Sequence, residues 1–236
     1  MTVALCVGAN TAIFTVLQSV LLRPLPYPEP DRLVLMYNCY PGVGVQKGSN
    51  STPDYFDRRK LTEVFEEVSL IGFSGYDVGA EGSPERVAGL YVTPSLFRML
   101  RIPPSLGRVF NEEEAVTGND KFVAVSHELW RKLYNGDRNI LGRDLRLSSV
   151  PYKILGVMPP GFQFLSREAR LWVPFSFTRQ QQSDDARHSN SWSMAARLRP
   201  GAGTALAQQR LLEDARFHTR VVSMREEMVG DVRSVL

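Results

Sequence analysis

The sequence predicts an α+β fold, with an N-terminal transmembrane helix carrying a two-lobed domain outside the membrane. Three observations predict it. No charged side chain occurs from Thr2 to Leu22. A strand followed by an amphipathic helix recurs near both ends of the remainder, at Leu33–Val68 and at Trp192–Phe217. Between these units lies a run of short strands broken by turn signals, the pattern of an α+β domain with an insertion.

An uncharged run of this length lets a helix cross about 30 Å of hydrocarbon at about 1.5 Å per residue. At about 100° per residue, Ala4, Gly8, Thr11, Ala12, Thr15 and Ser19 fall on one side, together with Gln18, and most of the large apolar residues fall on the other. A stripe of small and hydroxyl residues lets a second helix approach closely in a bilayer, so this face is expected to pack against other membrane helices. The ten Val, Leu, Ile and Phe residues supply roughly −3 to −6 kcal/mol of insertion free energy. Asn10 and Gln18 subtract from it, which suits a helix with partners better than a lone anchor. Two other readings remain open, a cleaved signal peptide and a buried core helix. A signal peptide has a basic n-region and an apolar stretch of about 7–15 residues; here the n-region has no Lys or Arg and the run is longer. No flank precedes the helix, so charge bias gives no orientation. The chain is expected to be a fragment that starts in or just before the first helix of a longer membrane protein.

The chain has 236 residues, and without the helix it leaves room for one large or two small domains. The hydrophobic fraction of 43% suits a globular core, and the net charge of +3 comes from 28 basic and 25 acidic residues that are interspersed. No block of Lys and Arg marks a nucleic-acid surface, so no nucleic-acid partner is expected. Arg58-Arg59-Lys60 reads as a solvated helix face. Cys6 and Cys39 lie in different kinds of segment and are not expected to pair.

The elements follow in order. Pro24, Pro26, Pro28 and Pro30 alternate and favour an extended, stiff stem. Leu33–Tyr37 reads as a buried strand and 42–50 as a loop. Ser51-Thr52-Pro53-Asp54 opens a helix whose apolar face is Tyr55, Phe56, Leu61, Val64, Phe65 and Val68. Leu70–Val92 reads as a hairpin with turns at Gly79 and Gly82-Ser83-Pro84, followed by a short helix at Ser95–Leu100. Asn111 caps the acidic stretch Glu112-Glu113-Glu114. Phe122–Val125 is a strand, and Ser126 opens a helix from His127 to Tyr134. Leu141–Leu147, Tyr152–Met158 and Leu171–Phe175 are further strands, with a turn at Pro159-Pro160-Gly161. Residues 180–190 are polar and loop-like. Trp192–Leu198 alternates as a half-buried strand, Thr204–Phe217 is a helix, Arg220–Met224 is the last strand, and Arg225–Leu236 looks helical and incomplete.

The chain carries no phosphate-binding G-x-x-x-x-G-K-[ST] loop. His127-Glu128 lacks the second histidine of a zinc-protease motif, and Gly72-Phe73-Ser74-Gly75 misses the nucleophile-elbow pattern by one residue. His127, His188 and His218 lie in unrelated segments. Glu112-Glu113-Glu114 is better explained as compensation of a helix dipole than as a cation site. Trp130, Trp172 and Trp192 read as core residues. Asn50-Ser51-Thr52 matches the glycosylation acceptor pattern, a weak signal. Nothing assembles a nucleophile, a base and an oxyanion donor. The chain therefore reads as non-enzymatic, with no catalytic, cofactor-binding or metal residues.

Several segments resemble one family in order along nearly the whole chain. Gly8–Phe14 with Leu21–Tyr27 is similar to the first membrane helix and exit of MacB/FtsX-type ABC transporter permeases, especially their large duplicated group. Thr52–Asp57, then Glu85-Arg86-Val87 through Phe110, are similar to the MacB-like periplasmic core domain. Asn139–Arg143 with Tyr152–Phe162 is the most specific match, and Arg225–Arg233 resembles the lead-in to the second membrane helix. The resemblance implies a bacterial inner-membrane location with the main domain periplasmic. It implies helix 1–22, a Pro-rich stem 23–32, a porter-like lobe from 33–100 and 190–225, a sabre-like lobe 101–189 inserted between them, and a lead-in 226–236. It also implies a cytoplasmic ABC ATPase subunit, a second permease copy or duplicated half, and the lipid bilayer as partners, with mechanotransmission and efflux or extraction of a substrate as the work. The link between Phe217 and Val221 is shorter than in the family. The competing expectation is a secreted or membrane-anchored binding or adaptor domain without a transport role; a third is a secreted hydrolase.

Overall fold

The computed structural model describes residues 25–79, 84–215 and 218–227. The expected membrane helix at 1–22 lies outside them, as do residues 228–236. Among the described residues no helix is long and apolar enough to cross a membrane.

The proline-rich segment bends and docks instead of standing as an extended stem. Glu29 takes a left-handed conformation (φ 47°) and Pro30–Arg32 forms a 3-10 turn. Tyr27 is buried, edge-on to Phe164 with ring centroids 6.3 Å apart, and its hydroxyl donates to the Gln163 carbonyl. Alternating prolines fix only their own φ, so the residues between them are free to turn and bury a large ring.

Strand β1 (Leu33–Tyr40) continues into a hairpin with β2 (Val45–Gly48), inside the stretch expected to be a loop. Helix α1 (Thr52–Arg58) is opened by a capping box: the Ser51 hydroxyl accepts the Asp54 N–H, and the Asp54 carboxylate accepts the Ser51 N–H. α1 stops at Arg58, ten residues before the expected end. The chain turns through 59–64 into β3 (Phe65–Val78), where Phe65 and Val68 find ladder partners in Leu198 and Ala196. Next come β4 (Glu85–Val92), α2 (Ser95–Leu100), β5 (Leu106–Gly107), β6 (Phe122–Val125), α3 (His127–Tyr134), β7 (Asp144–Leu147), β8 (Val150–Val157) and β9 (Leu171–Pro174). The segment expected to be a polar loop holds a short helix, α4 (Arg179–Gln182), with its own capping box at Thr178. β10 (Ser193–Leu198), α5 (Thr204–Ala215) and β11 (Thr219–Ser223) follow, then a helical turn at 224–227.

The fold is mixed α+β, as expected. The described strands form one sheet in the order β11-β1-β10-β3-β4-β9-β6-β8-β5, with β2 beside β1 and β7 beside β3 and β8. β4–β9 and β6–β8 are parallel pairs; the other pairings are antiparallel. β1 alternates between two cores. Leu33 and Leu35 face a cluster with Leu96, Met99 and Leu100 of α2 and with Trp172. Val34 and Met36 face Tyr55 of α1 and Ala207 and Leu211 of α5. A third cluster joins Leu129 of α3 to Val123, Val125, Ile154 and Leu171. Each such aliphatic side chain contributes roughly 1.5–3 kcal/mol when fully buried.

β10 was expected to be half-buried, yet it is buried from Met194 to Leu198. It lies between β1 and β3 with a core on each face, so both of its side-chain rows are enclosed. Gly72 marks a close approach: a Cβ there would lie 2.0 Å from the Tyr91 ring, which is held edge-on by Phe175 and Trp192. At the sheet's edge the Gln208 side-chain oxygen of α5 accepts the Val221 N–H at 2.9 Å, covering part of the row an edge strand leaves open.

Candidate functional site

Two polar hubs and one clamp join the two ends of the described chain. The first hub is built on α1. Its amphipathic turn points Arg58 inward, where the residue is 3% exposed. The guanidinium donates to Asn50 Oδ1, to Asn38 Oδ1, to Thr219 Oγ1 at 2.9 Å and to Met194 Sδ at 3.5 Å. One cation thus touches β1, the entry to α1, β10 and β11. Among the described residues no carboxylate forms an ion pair with it. Asn38 Nδ2 instead donates to Asp54 Oδ2 at 2.9 Å, and Arg187 lies 3.5 Å from Asp54 and 2.9 Å from Asp57. Burial lowers the Arg58 pKa to about 10, with the Asp54 and Asp57 charges opposing the shift. A buried charge of this kind is tolerated only when its hydrogen bonds are complete.

The expectation of a solvated Arg58-Arg59-Lys60 face is therefore wrong for its first member: Arg58 is a core residue, and only Arg59 and Lys60 are exposed. The glycosylation reading of Asn50 falls with it. Asn50 is 1% exposed, and its amide donates to the Met36 and Trp192 carbonyls at 2.8 and 3.3 Å.

The second hub holds the entry segment. Arg197 on β10 has a fully buried side chain. Its Nε donates to the Met99 carbonyl at 2.6 Å, near the C-terminal end of α2, where a cation also opposes the helix dipole. Its Nη atoms donate to the Pro28 and Glu29 carbonyls at 2.9 and 3.3 Å. Burial lowers the Arg197 pKa, and the neighbouring Arg101 and Arg32 charges add to this. Around it Arg32 and Arg101 both pair with Glu29 and Glu66. For Glu66, burial raises the carboxyl pKa, but the two guanidiniums outweigh this and hold it below its ordinary value.

The clamp holds the exit. Met224 is buried in the core on the α2 face. Glu227 accepts from Lys47 Nζ at 2.6 Å and from the Tyr37 hydroxyl at 3.1 Å, while Lys47 sits over the Tyr37 ring. Arg225 lies 3.9 Å from Asp31 of the entry segment. Since β1 and β11 pair from Val34↔Ser223 to Asn38↔Thr219, the entry and exit of the domain are neighbours.

The expected membrane-packing residues Ala4, Gly8, Thr11, Ala12, Thr15 and Ser19 lie outside the described residues. His127 opens α3 edge-on to Trp130 at 5.4 Å, and the His218 carbonyl accepts the Cys39 N–H at 2.8 Å. Among the described residues no group of three His, Cys, Asp or Glu is placed to hold a metal. Glu114, expected to serve a helix dipole, instead sits inside a 3-10 turn of three residues and binds Arg108 through both oxygens at 2.6 and 2.7 Å. Trp172 is fully buried, as expected of a core residue. Sequence reasoning missed both arginine hubs. For Arg197, the available signal was one cation inside the apolar run Met194–Leu198; for Arg58, it was the capping pair Ser51 and Asp54, which places Arg58 one turn beyond Asp54 on the same face.

Residues 1–213 match the model of the MacB-like periplasmic core domain. The macrolide export ATP-binding/permease protein MacB of Shigella dysenteriae serotype 1 (strain Sd197) is 26% identical over 157 residues, covering 65% of this chain and 21% of that protein. The chain thus spans about a fifth of this relative. A domain assigned to a permease protein from Porphyromonas gingivalis has a similar fold, with a TM-score of 0.62 at 16% identity over 84% of this chain and 93% of that one. So does the periplasmic region of MacB from Actinobacillus actinomycetemcomitans, with a TM-score of 0.59 at 11% identity over 86% and 92%.

Proposed function

Because the chain belongs to the MacB-like periplasmic core domain family, we propose that it is the periplasmic part of an ABC transporter permease and couples motion of membrane helices to movement of a substrate outside the membrane. One observation carries the reading. The entry segment and the exit turn are fastened to the same sheet, side by side, by Arg197 and Glu227. A displacement of either end is then transmitted to the strands and not absorbed in a slack linker.

ATP hydrolysis belongs to a cytoplasmic ATPase outside this sequence, and the domain works against a second permease copy or a duplicated half. The uncharged segment 1–22 is the first membrane helix in the inner membrane, packed through Ala4, Gly8, Thr11, Ala12, Thr15 and Ser19. Residues 33–100 and 190–225 act as the porter-like lobe and 101–189 as the sabre-like lobe; pairing of β1 with both β10 and β11 supports this division.

The test places a spin label at Val43, which is 77% exposed at the β1–β2 turn. Cys6 and Cys39 are first replaced by Ser, and the permease is reconstituted with its ATPase in lipid nanodiscs. Distances between the labels of two copies are expected to change between nucleotide-free and ATP-trapped states. Identical distance distributions in both states would refute the coupling role.

A further inference from the structure

We propose that the free edge of β4 at Glu85–Val87 is a docking site for an extended peptide segment bearing lysine or arginine, which adds to the sheet as a short extra strand. β9 runs parallel to β4 only from Gly89↔Leu171 onward. The Ala88 carbonyl takes the Arg170 N–H at 2.8 Å, and the Val92 carbonyl takes the Phe175 N–H at 2.9 Å. Even-numbered residues of β4 therefore point their backbone groups toward the β9 side. Arg86 follows this alternation. Its partner across the other ladder, Asp77, is turned away from β4, because Asp77 N–H and C=O bond to Ser148 at 3.2 and 2.9 Å. The Arg86 N–H and C=O thus face the space β9 leaves at Arg170. Among the described residues neither group has a hydrogen-bond partner.

That space is a cleft of about 450 Å³ between β4 and α3, walled by Glu128, Lys132, Glu168 and Arg170 over Val87 and Leu129. Its volume lies within the roughly 300–1,000 Å³ of ligand sites. The three-residue edge is about 10 Å long at about 3.3 Å per residue, enough for about three added residues. Backbone pairing along an open edge is the usual way an extended peptide gains affinity, with side-chain pockets giving preference. The charges set that preference. Lys132 is paired with Glu85 and Arg86 with Asp77. Arg170 is pinned to the Arg167 and Ala169 carbonyls at 2.8 and 3.2 Å. Glu168 has no cationic partner among the described residues, whereas Glu128 accepts from the Gly161 N–H at 3.4 Å and also interacts with the Ser126 side chain and the Arg170 charge. Glu168, with Glu128 beside it in the cleft wall, suits a basic side chain.

The test uses the full chain in mild detergent and fluorescein-labelled pentapeptides read by fluorescence anisotropy. A peptide alternating valine and lysine is expected to bind saturably. Methylating its alternate backbone nitrogens keeps every side chain and is expected to weaken binding about tenfold. A valine–glutamate peptide is expected to bind more weakly than the lysine peptide. Glu128→Gln with Glu168→Gln is expected to weaken the lysine peptide several-fold and to flatten its salt dependence. Arg86→Pro removes the edge N–H without touching the β3 ladder and is expected to abolish binding at an unchanged melting temperature; if that variant fails to fold, the methylated peptide and the glutamine pair still decide. Equal binding of methylated and unmethylated peptides, indifference to the two glutamine substitutions, or no saturable binding of the lysine peptide would each overturn the proposal.

Discussion

Replacing Arg58 by Met removes the guanidinium while keeping most of the volume of its stem. Asn38 Oδ1, Asn50 Oδ1 and Thr219 Oγ1 then lose a donor inside the fold. A buried acceptor left unsatisfied costs about 1–3 kcal/mol, and methionine returns part of that through apolar contact. The net expectation is a loss of about 3–5 kcal/mol, the range for removing one member of a buried charged network. At about 2–4 °C per kcal/mol for a chain of this size, the melting temperature falls by roughly 6–20 °C. Arg58→Lys keeps the charge but reaches fewer acceptors, since an ammonium lacks the planar fork, and falls between the two. Arg59→Met, one residue along on the exposed side, is the control and is expected to stay within about 0.5 kcal/mol. Thermal unfolding of the full chain followed by near-ultraviolet circular dichroism, with urea unfolding for the free energy, measures all three. If Arg58→Met unfolds within about 1 kcal/mol of the wild type, the hub is not a support of the fold.

Other consequences can be measured on the same footing. Arg197→Lys loses the fork that reaches the Met99, Pro28 and Glu29 carbonyls; hydrogen exchange is expected to quicken at residues 29–33 while β4 and β9 keep their protection, and uniform quickening would count against a local anchor. Gly72→Ala drives a methyl into the Tyr91 ring and is expected to cost about 1–3 kcal/mol, with a changed near-ultraviolet signal from the Tyr91–Trp192 pair. Glu66 and Glu114 titrate below the ordinary glutamate value of 4.5 in the fold. The unfolded chain therefore binds more protons in that window, so stability is full above about pH 5 and falls as pH drops through the folded values. Urea midpoints at pH 7 and pH 4 should differ in that direction, and Glu66→Gln should reduce the difference.

Local signals in the sequence reached far into this fold. Ser126 before an apolar periodic stretch gave α3 with its observed bounds, and Phe122–Val125 gave β6, because caps and β-branched runs act over a few residues. The segment 61–68 misled for the opposite reason. Leu61, Val64, Phe65 and Val68 keep helical spacing, but Phe65–Val68 is claimed by β10, more than 120 residues away, and no local pattern carries that information. Arg58 was misread in the same way. A cation among three basic residues looks solvated until Asn38 and Thr219 arrive from distant strands to accept its hydrogen bonds. The bent proline segment shows the limit of backbone rules: prolines restrict φ, yet burial of Tyr27 decided the path.

The pairing of Val34 with Ser223 sets the two ends of the domain only about 5 Å apart, the separation of residues facing each other on antiparallel strands. A body of nearly 200 residues therefore occupies, at its root, no more space than a tight reverse turn. Excising it and closing the gap with a few glycines would leave the spacing of its flanking segments nearly unaltered. The same geometry lets such a body be grafted onto any helical hairpin whose tip presents two strands' worth of room.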